Sequence, residues 1–284
     1  MLPLSCWPLT ARRNIIGVFT DIDDTLTTDG AITADALQAL GDLKSSGLHV
    51  IPITGRPVGW SERVAFGWAS GRLQCDVWPV DAVVAENGST ALTLSQPESP
   101  VTKIYQQDAA TRTRNYVRMQ QVAERVVREV SGAVLSQDSG GRETDIAIDH
   151  SEFTHLSAHK MDQVVQIMQS EGMNATVSSI HINGWFGDHN KLSGARWIVR
   201  ELFGRDLDAE MDRWVYVGDS TNDALMFEHF GHSVGVANIR RFEAELSHKP
   251  RYVTLGERGA GFAEVAQALL QTLWQSAKPR TGRL

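Results

Sequence analysis

Three carboxylates stand within four positions in Asp21-Ile22-Asp23-Asp24, directly after the apolar run Ile15-Ile16-Gly17-Val18-Phe19. Like charges that close repel, and more strongly where low dielectric surrounds them. A fold accommodates such a cluster beside a core strand most readily with a cation among the oxygens, and hard ions such as Mg²⁺ take oxygen ligands. Alone, the stretch reads as a solvated acidic turn. Two further clusters shift the balance: Thr54-Gly55-Arg56 follows the apolar run Leu48–Ile53, and Asp219-Ser220-Thr221-Asn222-Asp223 follows Trp214–Val217 and Gly218. From different strands at the same sheet edge, Asp21 and Asp219 could share one Mg²⁺, with Asp223 bound through water and a main-chain carbonyl of the first loop completing the shell. A carboxylate can accept a phosphoryl group, and Asp23, two positions on, could act as acid and then base. Thr54 offers a hydroxyl and Lys191 a point charge to the non-bridging oxygens. Uncatalysed phosphate-monoester hydrolysis can need acceleration approaching ~10²¹, roughly 28 kcal/mol. One donor to developing charge supplies only about 3–4 kcal/mol, so the whole ensemble is required.

The elements that must position these residues are short. The run Ile15–Phe19 reads as a strand buried on both faces, and Thr33 as the N-cap of a helix that Gly47 closes. Leu48–Ile53 reads as a second strand, with Pro52 tolerable only near its end. Pro57 to Ser70 reads as a helix and Ala82–Ala85 as a strand leading into Glu86-Asn87-Gly88. The texture changes near residue 89. Thr90–Leu94 alternates, Gln96–Pro100 is a loop, and two amphipathic helices, Arg112–Val130 and Lys160–Gln169, lie among short strands at 145–148, 175–178 and 180–182. That mixture describes helices layered on one face of an antiparallel sheet. From Lys191 the first texture returns: a helix to Phe203, the strand Trp214–Val217, a helix to about Phe230, short strands at Val234–Val236 and Val253, and a closing helix over 261–275. Strands alternating with helices in both flanks imply a parallel sheet, whose ligands sit at the strands' carboxyl ends. All three polar clusters fall there.

Composition narrows the class. The 284 residues, 42% hydrophobic and 21% charged, suit one or two globular domains. A net charge of −7 argues against a nucleic-acid partner. Cys6 and Cys75 have no disulfide or metal-ligand spacing, no run approaches the ~20 apolar residues of a membrane span, and the start lacks a signal-peptide pattern. The expectation is a cytoplasmic protein with neither membrane nor nucleic-acid partner.

The strings Asp21-Ile22-Asp23-Asp24-Thr25-Leu26, Thr54-Gly55-Arg56, Lys191 and Gly218-Asp219-Ser220-Thr221-Asn222-Asp223 resemble, in order and spacing, the four motifs of the haloacid dehalogenase superfamily of phosphohydrolases. The resemblance implies a Rossmann-like α/β core, a parallel sheet with helices on both faces, formed by 1–88 and 187–284. The insertion 89–186 resembles the type-two α+β cap of the sugar-phosphatase branch, which includes sucrose-phosphate and mannosyl-phosphoglycerate phosphatases. By the same resemblance Asp21 is nucleophile and Mg²⁺ ligand, Asp23 is acid/base and lends its main-chain carbonyl to the metal, Asp219 is a direct ligand and Asp223 an indirect one. The implied partner is a small phosphorylated metabolite. A phosphotransferase or mutase, and a non-catalytic metal-bound sugar-phosphate sensor, stand as alternatives.

Other residues carry two readings. Gly55 and Arg56 are candidates for substrate contact, although Arg56 reads equally as the partner of a core carboxylate. Asn87 reads as a turn residue or a substrate contact. Arg142, Glu143 and Asp145, at the mouth of a cap strand, suggest a polyol-binding loop or a solvated turn. Asp24 and Thr25 are expected to hold their loop through side-chain-to-backbone bonds. Asp188-His189-Asn190 is expected to cap the Lys191 helix, His181 to pack, and Trp185 is the one tryptophan suspected of touching a sugar ring.

Overall fold

The computed structural model describes residues 1–69, 72–73, 77–94 and 100–277. Ser70, Cys75, residues 96–99 of the expected loop and the basic tail at 278–283 lie outside the described residues. Six strands form one parallel sheet in the order Leu2–Pro3, Tyr252–Val253, His232–Gly235, Trp214–Gly218, Gly17–Thr20, His49–Pro52. Alternation along these strands divides the core between two layers. Val18, Val50, Val215 and Val217 face helices Ala34–Ser45 and Arg258–Ala277. Phe19, Ile51, Trp214 and Tyr216 face helices Lys191–Phe203 and Ala224–His229. Each fully buried side chain of this size contributes about 1.5–3 kcal/mol by leaving water. Gly17 is required by this packing, because a Cβ there would stand 2.2 Å from the Trp214 ring.

Register sets the site. Thr20 is level with Val217 on one side and Pro52 on the other, so Asp21, Asp219 and Thr54 leave the sheet at one edge. Pro52 fits because the peptide nitrogens on either side of it, at Val50 and Thr54, face away from Gly17–Thr20, toward Asp81 and Val84. No donor to the central ladder is lost there.

The helix expected over 57–70 is shorter, Val58–Val64, with Pro57 at its N-cap. Gly67 at φ +61° turns the chain into the antiparallel pair Trp68–Ala69 and Arg72–Leu73. Strand Thr90–Thr93 pairs back onto Val83–Ala85 and takes Thr102–Tyr105 on its other edge, giving a three-stranded antiparallel sheet. The chain then forms a second, four-stranded antiparallel sheet ordered Val134–Leu135, Ile146–Asp149, His181–Trp185, Asn174–Val177. Helices Ala109–Glu129 and Ala158–Ser170 pack Met119, Val126, Val164 and Met168 onto its Ile146, Ile148 and Ile182. Period-two alternation turns Ala147, Asp149, His181 and Asn183 to the opposite face, where Asn183 meets Gly55 of the parallel-sheet core. No helix among the described residues is long and apolar enough to cross a membrane.

Candidate active site

The first loop folds tightly over its own backbone. The Ile22 carbonyl accepts from Thr25, Leu26 and Thr27 nitrogens and from the Thr27 hydroxyl, and Asp24 takes a left-handed φ of +54°. Asp21 is pinned by its N–H to the Val217 carbonyl at 2.8 Å. Asp21, Asp219 and Asp223 are buried and present carboxylate oxygens within 4.8 Å of one another. Burial raises the Asp21 pKa to about 7; Lys191 opposes the rise, and Asp223 and Asp23 add to it. Burial and the neighbouring Asp21 and Asp223 push Asp219 well above the usual carboxylate range. Carboxylates crowded to this degree fit a divalent cation, whose charge would offset both burial and mutual repulsion. Asp219 is held by Asn238 Nδ2 at 3.2 Å and by the Thr25 hydroxyl at 3.3 Å. Thr25 thus binds a candidate ligand instead of the loop backbone, and Asp24 pairs with Arg258 at 3.1 Å.

Asp223 is placed to act indirectly. Its Oδ2 accepts from the Asp219 and Ser220 nitrogens, while Oδ1 accepts from Lys191 Nζ at 2.7 Å and from the Tyr216 hydroxyl. Lys191 Nζ also lies 3.0 Å from Asp21. Burial pulls its pKa down, yet Asp21 and Asp223 outweigh this and hold the ammonium above its ordinary value. Lys191 opens its helix, capped as expected by Asn190, whose side chain forms a capping box with Ser193. That helix reaches the site by close approach to the 86–88 turn: a Cβ on Gly194 would stand 2.6 Å from Gly88 Cα. Thr54 is buried, and its hydroxyl oxygen accepts the Arg56 N–H at 3.0 Å, which leaves its proton to donate.

Asp23 lies outside the triad and faces Arg56. The guanidinium donates Nε–H to both Asp23 oxygens at 3.0 Å and Nη2 to one at 2.9 Å. It also reaches Glu152 at 2.9 Å and Asp138 at 3.2 Å. Of the two readings of Arg56, carboxylate pairing is the one formed. Glu152 in turn lies 2.8 Å from His181 Nε2. His181 is buried, as a packing residue would be, but it carries a charge partner.

The remaining expected contacts tie the two sheets together. Arg142 donates to Asp145 at 2.8 Å, to Asp138 at 3.2 Å and to the Gly55 carbonyl at 3.0 Å. Asn183 bridges Gly55 and Asp145. Burial raises Asp145 to about 7 although Arg142 opposes it. Asn87, at φ +56°, reaches Asp145 at 3.5 Å. Glu143 pairs with Lys103 and Tyr105. Arg142, Glu143 and Asp145 do not line the cavity of about 650 Å³ beside Asp23 and Asp219. Trp185 is buried against His189, its indole N–H on the His189 carbonyl. Glu86, which sequence reasoning passed over, is fully buried and accepts the N–H groups of Val58, Glu143 and Thr144 and the Thr144 hydroxyl. Glu86→Ala leaves those donors unmet and is expected to cost about 3–5 kcal/mol, read as a lower urea midpoint at unchanged slope. A loss under 1 kcal/mol would show that this buried carboxylate does not join the sheets.

A polar cavity of about 650 Å³ opens beside Asp23 and Asp219, walled by Ser151, Glu152 and Phe153 on one side and Arg241, Phe242 and Arg258 on the other. A smaller pocket touches Asp21, Thr54, Ser178, His181 and Asn222. Asn238, Tyr216, Glu152 and Asp138 complete the surroundings. Of these, Asn238 alone carried a signal: like the three polar clusters, it follows an apolar run.

The family model for haloacid dehalogenase-like hydrolases matches residues 18–192, more than half of the chain. No curated protein matches the sequence. Solved structures share the fold at low identity. A Thermoplasma acidophilum protein is 16% identical at TM-score 0.64, over 90% of this chain and 98% of its own. The sucrose-phosphatase of Synechocystis sp., solved with sucrose and phosphate, is 14% identical at TM-score 0.59, over 90% and 98%. The subclass IIB sugar phosphatase BT4131 is 15% identical at TM-score 0.57, over 91% and 98%.

Proposed function

The chain belongs to the haloacid dehalogenase-like hydrolases, and from that premise we propose that it is a Mg²⁺-dependent phosphatase acting on a small sugar phosphate. The observation that carries this reading is the convergence of Asp21, Asp219, Asp223 and Lys191 at one sheet edge. Asp21 and Asp219 would hold Mg²⁺ directly, with the Asp23 main-chain carbonyl and, through water, Asp223; the ion supplies positive charge against the substrate phosphate. The Asp21 carboxylate attacks phosphorus, and the bond to the ester oxygen breaks as Asp23 delivers a proton to that oxygen. Asp23 then takes a proton from the water that attacks the aspartyl phosphate, which returns Asp21 and releases phosphate. Lys191 and the Thr54 hydroxyl receive the non-bridging oxygens. Arg56 holds Asp23 in place. The segment 89–186 serves as a cap that excludes bulk water and faces the leaving group. The sugar-phosphate class is supported by the sucrose-phosphatase and the sugar phosphatase that share this fold.

Phosphate release from a panel of sugar phosphates tests the reading. Activity is expected with Mg²⁺ and not with chelator, yielding one free sugar per phosphate; kcat/KM on the best substrate should fall in the usual range of about 10⁴–10⁸ M⁻¹s⁻¹. An isomerised sugar phosphate without free phosphate would replace hydrolase by mutase. No Mg²⁺-dependent turnover of any ester would end the reading.

A further inference from the structure

The wall of the large cavity limits what alcohol the ester can carry. Three arginines reach it, and each is already met by carboxylate. Arg56 is shared among Asp23, Glu152 and Asp138. Arg258 is paired with Asp24 at 3.1 Å and Asp29 at 2.7 Å, and Arg241 with Glu257 at 3.2 Å. Asp24, Asp29 and Glu152 also line the cavity, so among the described lining residues a second anionic group on the substrate meets these carboxylates and three arginines that already have carboxylate partners. Such a group would pay desolvation without compensation.

The same wall offers an apolar face. Phe153 is 62% exposed and lines this cavity. Its loop is held from beneath by buried Asp149, whose carboxylate accepts the N–H groups of Ser151 at 3.0 Å, Glu152 at 2.9 Å and Phe153 at 2.9 Å. Glu152 is fixed independently by Arg56 and His181. An exposed ring on a loop braced this way is preorganised and loses little entropy on contact. Ser151, Ser179, Asp29 and Glu152 line the same cavity. An aromatic ring in a cavity lined with hydroxyl-bearing and carboxylate side chains matches a molecule with C–H groups on its faces and hydroxyls on its edge.

We propose that Phe153 sets specificity at this site by stacking on the ring of an uncharged cyclic polyol, and that this wall selects cyclic sugar monophosphates against acyclic ones and against bisphosphates. The inference rests on the phosphatase reading for the position of the phosphate, and its test is binding. Dissociation constants of glucose 6-phosphate, glycerol 3-phosphate and fructose 1,6-bisphosphate are measured by calorimetry with Mg²⁺ in the Asp21→Asn protein, which does not turn them over. Glucose 6-phosphate should bind at least about tenfold tighter than the other two. Adding Phe153→Ala should weaken glucose 6-phosphate about tenfold and glycerol 3-phosphate less than twofold, and Phe153→Trp should restore the difference. Tighter binding of the bisphosphate, equal effects of Phe153→Ala on both monophosphates, or no binding of glucose 6-phosphate would each overturn the proposal. Phosphate release by the wild-type protein is scored separately. Selective binding without release defeats the hydrolase reading alone, and release without selectivity defeats this inference alone.

Discussion

Asp21→Asn is expected to slow phosphate release by at least about 10⁴-fold, the scale on which removal of a covalent nucleophile acts, while the protein stays folded. Asparagine keeps the shape, and the Asp21 N–H bond to Val217 is main-chain. What disappears is the anionic oxygen that would bond to phosphorus. Stability should not fall in the metal-free protein, because burial already lifts the Asp21 pKa to about 7 and a neutral amide removes one of three crowded carboxylates. Lys191 retains Asp223 at 2.7 Å. The measurements are phosphate release, thermal midpoint, and digestion of acid-quenched protein for a phosphorylated peptide containing Asp21. Turnover within tenfold of wild type, at equal folded fraction, would place the nucleophile elsewhere.

Asp21 and Asp223 could be read before any coordinates because each belongs to an acidic cluster that follows an apolar run. An alternating strand buried on both faces can end only in a loop at the sheet edge, and parallel register brings such loops together. Asn238, after the strand His232–Gly235, obeys the same rule and was missed only because one amide carries less chemical signal than a cluster of acids. Arg56 was recognisable but its partners were not: Glu152 is 96 positions away, and nothing local in Ser151-Glu152-Phe153 points to that guanidinium. His181 shows the limit of periodicity. Alternation in Ile180-His181-Ile182-Asn183 separates two faces, but which face meets the core is decided by where helices Ala109–Glu129 and Ala158–Ser170 pack. The apolar side of the strand went to those helices, so His181 and Asn183 were turned to the site. Thr25 failed for the same reason, since its partner Asp219 lies 194 positions along the chain. The helix expected over 57–70 ends at Val64 because the chain turns at Gly67, whose positive φ only the fold makes visible.

Removing the metal should act on stability and activity together, with a pH dependence of definite sign. In metal-free protein Asp21 has its pKa raised from 3.8 to about 7, and Asp219 is raised as well. A carboxyl group that binds its proton more tightly when folded supports the fold below its unfolded pKa, and that support is lost as pH rises through the folded value. Each pH unit over which the proton is held only in the folded state is worth about 1.4 kcal/mol. Mg²⁺ displaces those protons, so its stabilising effect should grow between about pH 5 and pH 8. At 100 times its dissociation constant the ion adds about 2.7 kcal/mol. Asp219→Asn, which removes one anionic ligand but leaves Asn238 a carbonyl oxygen to bind and gives the Thr25 hydroxyl an amide N–H to accept, should abolish most of that gain and lower phosphate release at least about 10²-fold. Chelator titrations of the thermal midpoint at several pH values, on wild type and Asp219→Asn, give both quantities. If Mg²⁺ raised the two midpoints equally, or if its effect shrank as pH rose, the ion would not lie between Asp21 and Asp219. The charge that lets an anionic carboxylate approach an anionic phosphate would then have to come from Lys191 alone, which Asp21 and Asp223 already neutralise.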